Sequence, residues 1–189
     1  MAEKRFSNVI GFDDAPFDRD HADRVKVVGT VYAGLRFDGV LIGEVAKDGF
    51  DAAERMAELI KTSRFAEHIQ LIMLQGIAVG GFNVVDVFEL YDRLGLPVLV
   101  VARKQPDMDK IRSVLSTYIA MGDKKWRVIE RLGDMEPLNA AHVQRVGLTL
   151  EQATAVMDQF VVHGHIPEPL RTAHIIAGAL ACGHSRGSV

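Results

Sequence analysis

The stretch at residues 71–86, LIMLQGIAVGGFNVVD, limits the possible folds more than any other part of this chain. Leu71, Ile72, Met73 and Leu74 form a short apolar run that reads as a strand buried on both faces. Gln75-Gly76 ends it. Three glycines within six residues, Gly76, Gly80 and Gly81, permit backbone turns with positive φ and close approach to another surface. Phe82-Asn83 leads into an apolar-periodic segment, Val84, Val85, Val87, Phe88, Leu90 and Tyr91, which predicts a helix with Asn83 as its N-cap. Strand, glycine turn and capped helix place backbone N–H groups at the carboxyl end of a sheet, where open α/β sheets usually bind ligands. Gly76, Gly80, Gly81 and Asn83 are therefore candidate ligand contacts. The same residues also fit a tight βα connection with no ligand. There is no G-x-G-x-x-G, and no Lys-Ser or Lys-Thr follows the last glycine, so neither a dinucleotide nor a P-loop nucleotide is implied.

The segments around this stretch predict the rest of the sheet. Val9-Ile10-Gly11-Phe12 is a short apolar strand that runs into paired acids, Asp13-Asp14. Residues 23–34 and 35–47 alternate and are rich in β-branched side chains, so they read as a second and third strand. Three strands without intervening helices form an antiparallel meander. Asp51 stands at the N-cap or first turn of a helix whose apolar stripe is Ala52, Met56, Leu59 and Ile60. Pro97 follows the central helix, and Val98-Leu99-Val100-Val101 is a second buried strand. Pro106 opens a helix with Ile111, Val114, Leu115 and Tyr118 on its inner face. KKWRVIERL, residues 124–132, fits a short helix or a strand equally. Residues 134–146 are irregular, with room for two short strands around Leu138 and Val143. Thr149 and Gln152 make a capping-box pattern for a helix ending at Gly164. Pro167 and Pro169 form a stiff bend before a last helix that closes at Gly183.

The order is βββ, α, β, α, β, then helices. Right-handed crossovers turn it into a mixed sheet with helices on both faces. That is the ribonuclease H-like arrangement, although a generic mixed α/β sheet has the same order. A chain of 189 residues with 48% hydrophobic content fits one domain spanning residues 1–189. No apolar run approaches the ~20 residues needed to span a bilayer. The opening MAEKRFSNVIGFDD lacks a signal-peptide core, and the lone Cys182 reads as a small buried helix residue, so the cytoplasm is the default compartment. A net charge of −3 offers no global attraction to nucleic acid, so any such site must be a local basic patch.

In such a sheet the ends of the first strand, the first crossover helix and the fourth strand converge. Asp13 and Asp14 stand at the first point, and Asp13 is favoured as the inward one. Asp48 and Asp51 border the start of the first helix, with Glu54 one turn along. Grouped carboxylates are hard ligands suited to Mg²⁺ or Mn²⁺, as one ion or two, and such a metal would assist in-line displacement at a phosphate. The plainer alternative is that Asp51 caps a helix and Asp14 opens a turn. Arg171 and His174 share a face of the last helix, where arginine suits a phosphate and histidine a proton transfer. Equally, Glu168 can pair with Arg171 while His174 packs. No G-x-S-x-G appears and Cys182 has no helper, which argues against acyl chemistry.

GFDDAPF, KDGFDA, LQGIAVGGFNVVD, LPVLVVARKQPD and PEPLRTAHIIA, in that order over residues 8–187, resemble the family known as DUF99, UPF0215 or endonuclease dU. Its members are mostly archaeal and of roughly this length. The resemblance implies kinship to endonuclease V, a ribonuclease H-like fold and cleavage of DNA beside deaminated bases such as deoxyuridine; the residues themselves do not separate DNA from RNA. It matches Asp13 to a first-strand metal ligand. Asp51, or Asp48 beside it, falls near a helix-borne acid, and Arg171 and His174 fall in a helix that contributes to the site. Endonuclease V carries an aspartate where this chain has Gln75, and an amide is a far poorer magnesium ligand. Two functions follow: a Mg²⁺-dependent endonuclease, or a non-catalytic module binding nucleic acid or a phosphorylated ligand at the glycine loop and Arg171. Arg36, Lys47, Arg103, Lys104, Lys124 and Lys125 are the candidates for a basic surface.

Overall fold

The computed structural model describes residues 5–185. The first four residues of the opening segment, and residues 186–187 at the end of the family resemblance, lie outside the described residues. In chain order the elements are β1 (Asn8–Asp14), β2 (Arg24–Ala33), β3 (Arg36–Ala46), α1 (Ala52–Lys61), β4 (Leu71–Gln75), β5 (Ala78–Val79), β6 (Asn83–Val84) and α2 (Val87–Leu94). There follow β7 (Val98–Ala102), α3 (Met108–Tyr118), α4 (Gly122–Leu132), β8 (Glu136–Leu138), β9 (Ala141–Val146), α5 (Leu150–Phe160) and α6 (Glu168–Cys182).

Seven strands form one mixed sheet in the order β3-β2-β1-β4-β7-β9-β8. The meander β1–β3 is antiparallel, β1, β4 and β7 are parallel, and β9 returns antiparallel to β7. The central strands are apolar on both faces, as expected for strands covered from either side. Ile10, Phe12, Ile72, Leu74, Val98 and Val100 pack with α1 and α2. Val9, Leu71, Met73, Leu99 and Val101 pack with α5 and the start of α6. This alternation decides the orientation of the residues at the strand ends. Asp13 and Gln75 continue the face toward α5 and α6, and Asp14 continues the opposite face.

Between β4 and α2 the chain does not pass directly from strand to helix. Residues 78–84 make a small β5–β6 hairpin that packs with α3 and α4 around Val84, Leu115, Val128 and Ile129. Helix α2 therefore begins later than Asn83: its N-cap is Asp86, whose carboxylate accepts from the Phe88 and Glu89 N–H groups. The ambiguous KKWRVIERL lies within α4, with Lys125, Val128 and Ile129 buried. The predicted capping box at Thr149 and Gln152 is present, but α5 stops at Phe160, short of Gly164. Tyr118 was expected to face inward and is 79% exposed, because the last turn of α3 runs beyond the core. Cys182, the final residue of α6, is exposed rather than buried. Among the described residues no helix is long and apolar enough to cross a membrane.

Candidate active site

Helix α6 is brought onto the sheet by small residues and one close contact. Ala173 and Ala177 let it approach β1 and β2. A Cβ at Gly11 would lie 2.7 Å from the Pro169 backbone, so the first turn of α6 can settle there only over a glycine. Thr30 donates to the Pro169 carbonyl at 2.5 Å, and the Tyr32 and Thr172 hydroxyls meet at 2.7 Å. The consequence lies one turn further on. His174 Nδ1 meets Asp13 Oδ2 at 2.8 Å, joining the end of β1 to the middle of α6.

Asp13, Asp14, Phe17, Arg19, Gln75 and His174 line a cavity of about 380 Å³ at the carboxyl ends of β1 and β4. The other Asp13 oxygen accepts from the Asp14 N–H at 2.9 Å. Burial, with the adjacent charge of Asp14, pushes the Asp13 carboxyl up to about 6 against the opposing pull of His174. Burial likewise raises Asp14, partly offset by the Gly80 N–H. Gln75 Oε1 is buried and has no hydrogen-bond partner. An orphaned amide oxygen costs about 1–3 kcal/mol and invites a ligand or cation that would satisfy it.

The remaining candidates serve the hairpin. Asp14 Oδ2 accepts from the Gly80 N–H at 2.9 Å, tying the hairpin tip to the site from the other side of the sheet. Gly76, Gly80 and Gly81 all have positive φ, as expected of this loop. Asp48 Oδ1 accepts from the Phe82 N–H at 2.7 Å, and the Asp48 N–H donates to the Gly80 carbonyl. Asn83 is fully buried and caps a different helix from the one expected: its Oδ1 accepts from the Ala52 N–H that opens α1. Its amide nitrogen donates to the Ala46 carbonyl and to Asp51 Oδ1. Burial pushes Asp51 up, but hydrogen bonds from Asn83, Ala46 and Arg55 outweigh it and hold the carboxyl below its usual value. Neither Asp48 nor Asp51 lines the cavity with Asp13. Among the described residues no three His, Cys, Asp or Glu side chains gather as a metal-binding group. Asn83→Ala is expected to lower stability by about 2–3 kcal/mol, since it strands the buried Ala52 N–H and removes one bond each from the Ala46 carbonyl and Asp51. Thermal unfolding would show a drop of roughly 8 °C.

Arg171 is gripped by Glu168 through two 2.8 Å bonds and does not line the cavity. Lys125 is not part of a basic surface, because it is fully buried and donates to the Asp48 carbonyl at 2.6 Å. Arg36 pairs with Asp38 at 2.6 Å, and Arg103 and Lys104 are exposed beyond β7. Arg19 was absent from the basic candidates. Its only sequence signal is that it lies five residues after the paired acids.

This arrangement has relatives. The family model described as endonuclease dU matches residues 5–181. A UPF0215 protein from Deinococcus radiodurans is 50% identical over 186 residues, 98% of this chain and 95% of its own. The crystal structure of an Archaeoglobus fulgidus protein of unknown function superposes with a TM-score of 0.85 at 32% identity, covering 92% of this chain and 97% of that one. Endonuclease V from Ciona intestinalis was solved with a 24mer DNA containing an inosine followed by a ribo-adenosine. It has a TM-score of 0.54 at 13% identity over 89% of this chain and 82% of that one, a likeness of fold alone. The mixed sheet and the match along nearly the whole chain agree, and the protein belongs to the endonuclease dU family.

Proposed function

We propose that this protein is a divalent-metal-dependent endonuclease acting on DNA that carries a deaminated base such as deoxyuridine. The observation that carries the reading is the Asp13–His174 pair beside Asp14 and the unpartnered Gln75 oxygen, in one cavity at the sheet's carboxyl edge. The residues fit a hard cation: Asp13 and Asp14 would supply its carboxylates, and Gln75 Oε1 would add a neutral oxygen. When bound, Mg²⁺ or Mn²⁺ supplies charge neutralisation at a phosphate and a more acidic water.

The chain's own groups do the rest. Asp13 holds His174 through Nδ1, which leaves Nε2 as the ring atom able to take or give a proton. The Gly80 N–H holds one oxygen of the Asp14 carboxylate, which orients that group before substrate arrives. The fold family's DNA-bound member supports nucleic acid as partner.

One observation favours the binding-module reading instead. The acids at the site number two, while Asp48 and Asp51 are committed to the hairpin. A nicking assay on a duplex with a single deoxyuridine separates the two. Slow cleavage that needs added metal, and is faster with Mn²⁺ than with Mg²⁺, is the expected result. Tight binding without cleavage under either metal would establish the module.

A further inference from the structure

Among the described residues six arginines hold a carboxylate, Arg24, Arg55 and Arg171 among them. Three more, Arg64, Arg112 and Arg131, stack on aromatic rings. Arg5, Arg19, Arg103 and Arg127 do neither among the described residues, and of these four Arg19 alone lines the cavity with Asp13. Its guanidinium is unpaired although it lines the same cavity as two aspartates. The backbone that carries it is nonetheless held. Lys47 Nζ donates to the Arg19 carbonyl at 2.7 Å, tying the loop after β1 to the end of β3. Asp18 closes the turn, accepting from the Asp20 N–H at 2.9 Å, and its carbonyl takes the Ala22 N–H. An exposed arginine on a braced loop, left without a counter-ion beside an acidic site, is placed for an anion that arrives with the substrate.

The chemistry of the cavity requires such a group. Asp13 and Asp14 repel a phosphodiester at any pH where they are ionised, and a cation between them does not fix the flanking phosphate. A guanidinium binds two non-bridging oxygens side by side, which gives orientation as well as charge. We propose that Arg19 is the phosphate anchor of this site, binding a backbone phosphodiester of the nucleic acid beside the Asp13–Asp14 pair, with Lys47 holding its loop. This rests on the nuclease reading given above for the same cavity.

The test is equilibrium binding of a labelled duplex with one deoxyuridine, in EDTA, over a range of salt concentrations. The parent, Arg19→Ala, Arg19→Lys and a control, Arg93→Ala on α2, are compared as full chains. Arg19 is exposed, so Arg19→Ala should melt with the parent. Arg19→Ala is expected to bind roughly tenfold more weakly at 100 mM salt, with the log–log salt slope reduced by about 1. Arg19→Lys should recover the slope but only part of the affinity, because lysine offers a point charge without the fork. Arg93, already paired with Glu89, should change neither. If the parent binds and Arg19→Ala keeps its slope and affinity, the anchor is refuted while the nucleic-acid reading stands. If the parent binds the duplex neither in EDTA nor with added Mn²⁺, both fall.

Discussion

Asp13→Asn should abolish cleavage and at the same time make the metal-free protein harder to melt at neutral pH. The folded state raises this carboxyl to about 6, whereas the unfolded chain releases the proton near 3.8. The folded protein therefore binds more protons between those values, and stability falls as the pH rises from about 4 to about 6. Above that range the ionised, buried acid costs the fold roughly 3 kcal/mol at most. Asparagine removes the charge, keeps an oxygen for the Asp14 N–H, and can still hydrogen-bond His174. Melting curves from pH 4.5 to 8 should show the parent losing stability where the variant does not, with the variant roughly 5 °C higher at pH 7.5. Cleavage should fall by about a thousandfold or more, as for removal of a group that holds and orients the reacting centre. A variant that melts lower than the parent at pH 7.5 and still cuts would remove Asp13 from the site.

Gln75→Asp should act in the opposite sense on both counts. Asp13 and Gln75 point to the same side of adjacent strands, so a carboxylate at 75 would complete a set of three. Ligand charge governs affinity for hard cations, and Mn²⁺ binding should tighten at least tenfold, with faster nicking of deoxyuridine or inosine duplexes. Without metal, a third buried acid should lower the melting temperature near pH 7.5 by several degrees. Titration calorimetry and nicking of both forms, side by side, give the answer. Equal metal affinity in the two would mean that Gln75 does not face the cation, and the binding module would become the better account.

Much of this architecture could be read from hydrophobic pattern. β3 alternates because α1 packs only one of its faces and leaves Val40 and Ile42 on the other exposed, and the runs at 71–74 and 98–101 are uninterrupted because both faces are covered. Alternation along β1 allows only one of Asp13 and Asp14 to face α6, and the folded chain shows that it is Asp13. The errors came where a residue's partner is distant in sequence. Asn83 has the chemistry of an N-cap and is one, but for α1, thirty-one residues back along the chain. Two-residue strands such as β5 and β6 carry no periodicity that could reveal the hairpin. Asp48 and Asp51 looked like ligands from their spacing. Only the folded chain shows their oxygens committed to Phe82, Ala46 and Asn83. Lys125 occupies an apolar-stripe position of α4 while its ammonium reaches the Asp48 carbonyl, which charge counting assigns to the surface.

The reading of the cavity places metal and cleavage at Asp13 and not at the acids bordering the start of α1. Mn²⁺ binding followed by electron paramagnetic resonance tests it most directly, comparing the parent with Asp13→Asn and Asp48→Asn at pH 7.5. Asparagine at 48 keeps the acceptor for the Phe82 N–H, so the hairpin is preserved in that variant. A bound-Mn²⁺ signal is expected for the parent and for Asp48→Asn, with an affinity at least tenfold weaker for Asp13→Asn. Loss of binding in Asp48→Asn with full binding in Asp13→Asn would contradict the placement at Asp13.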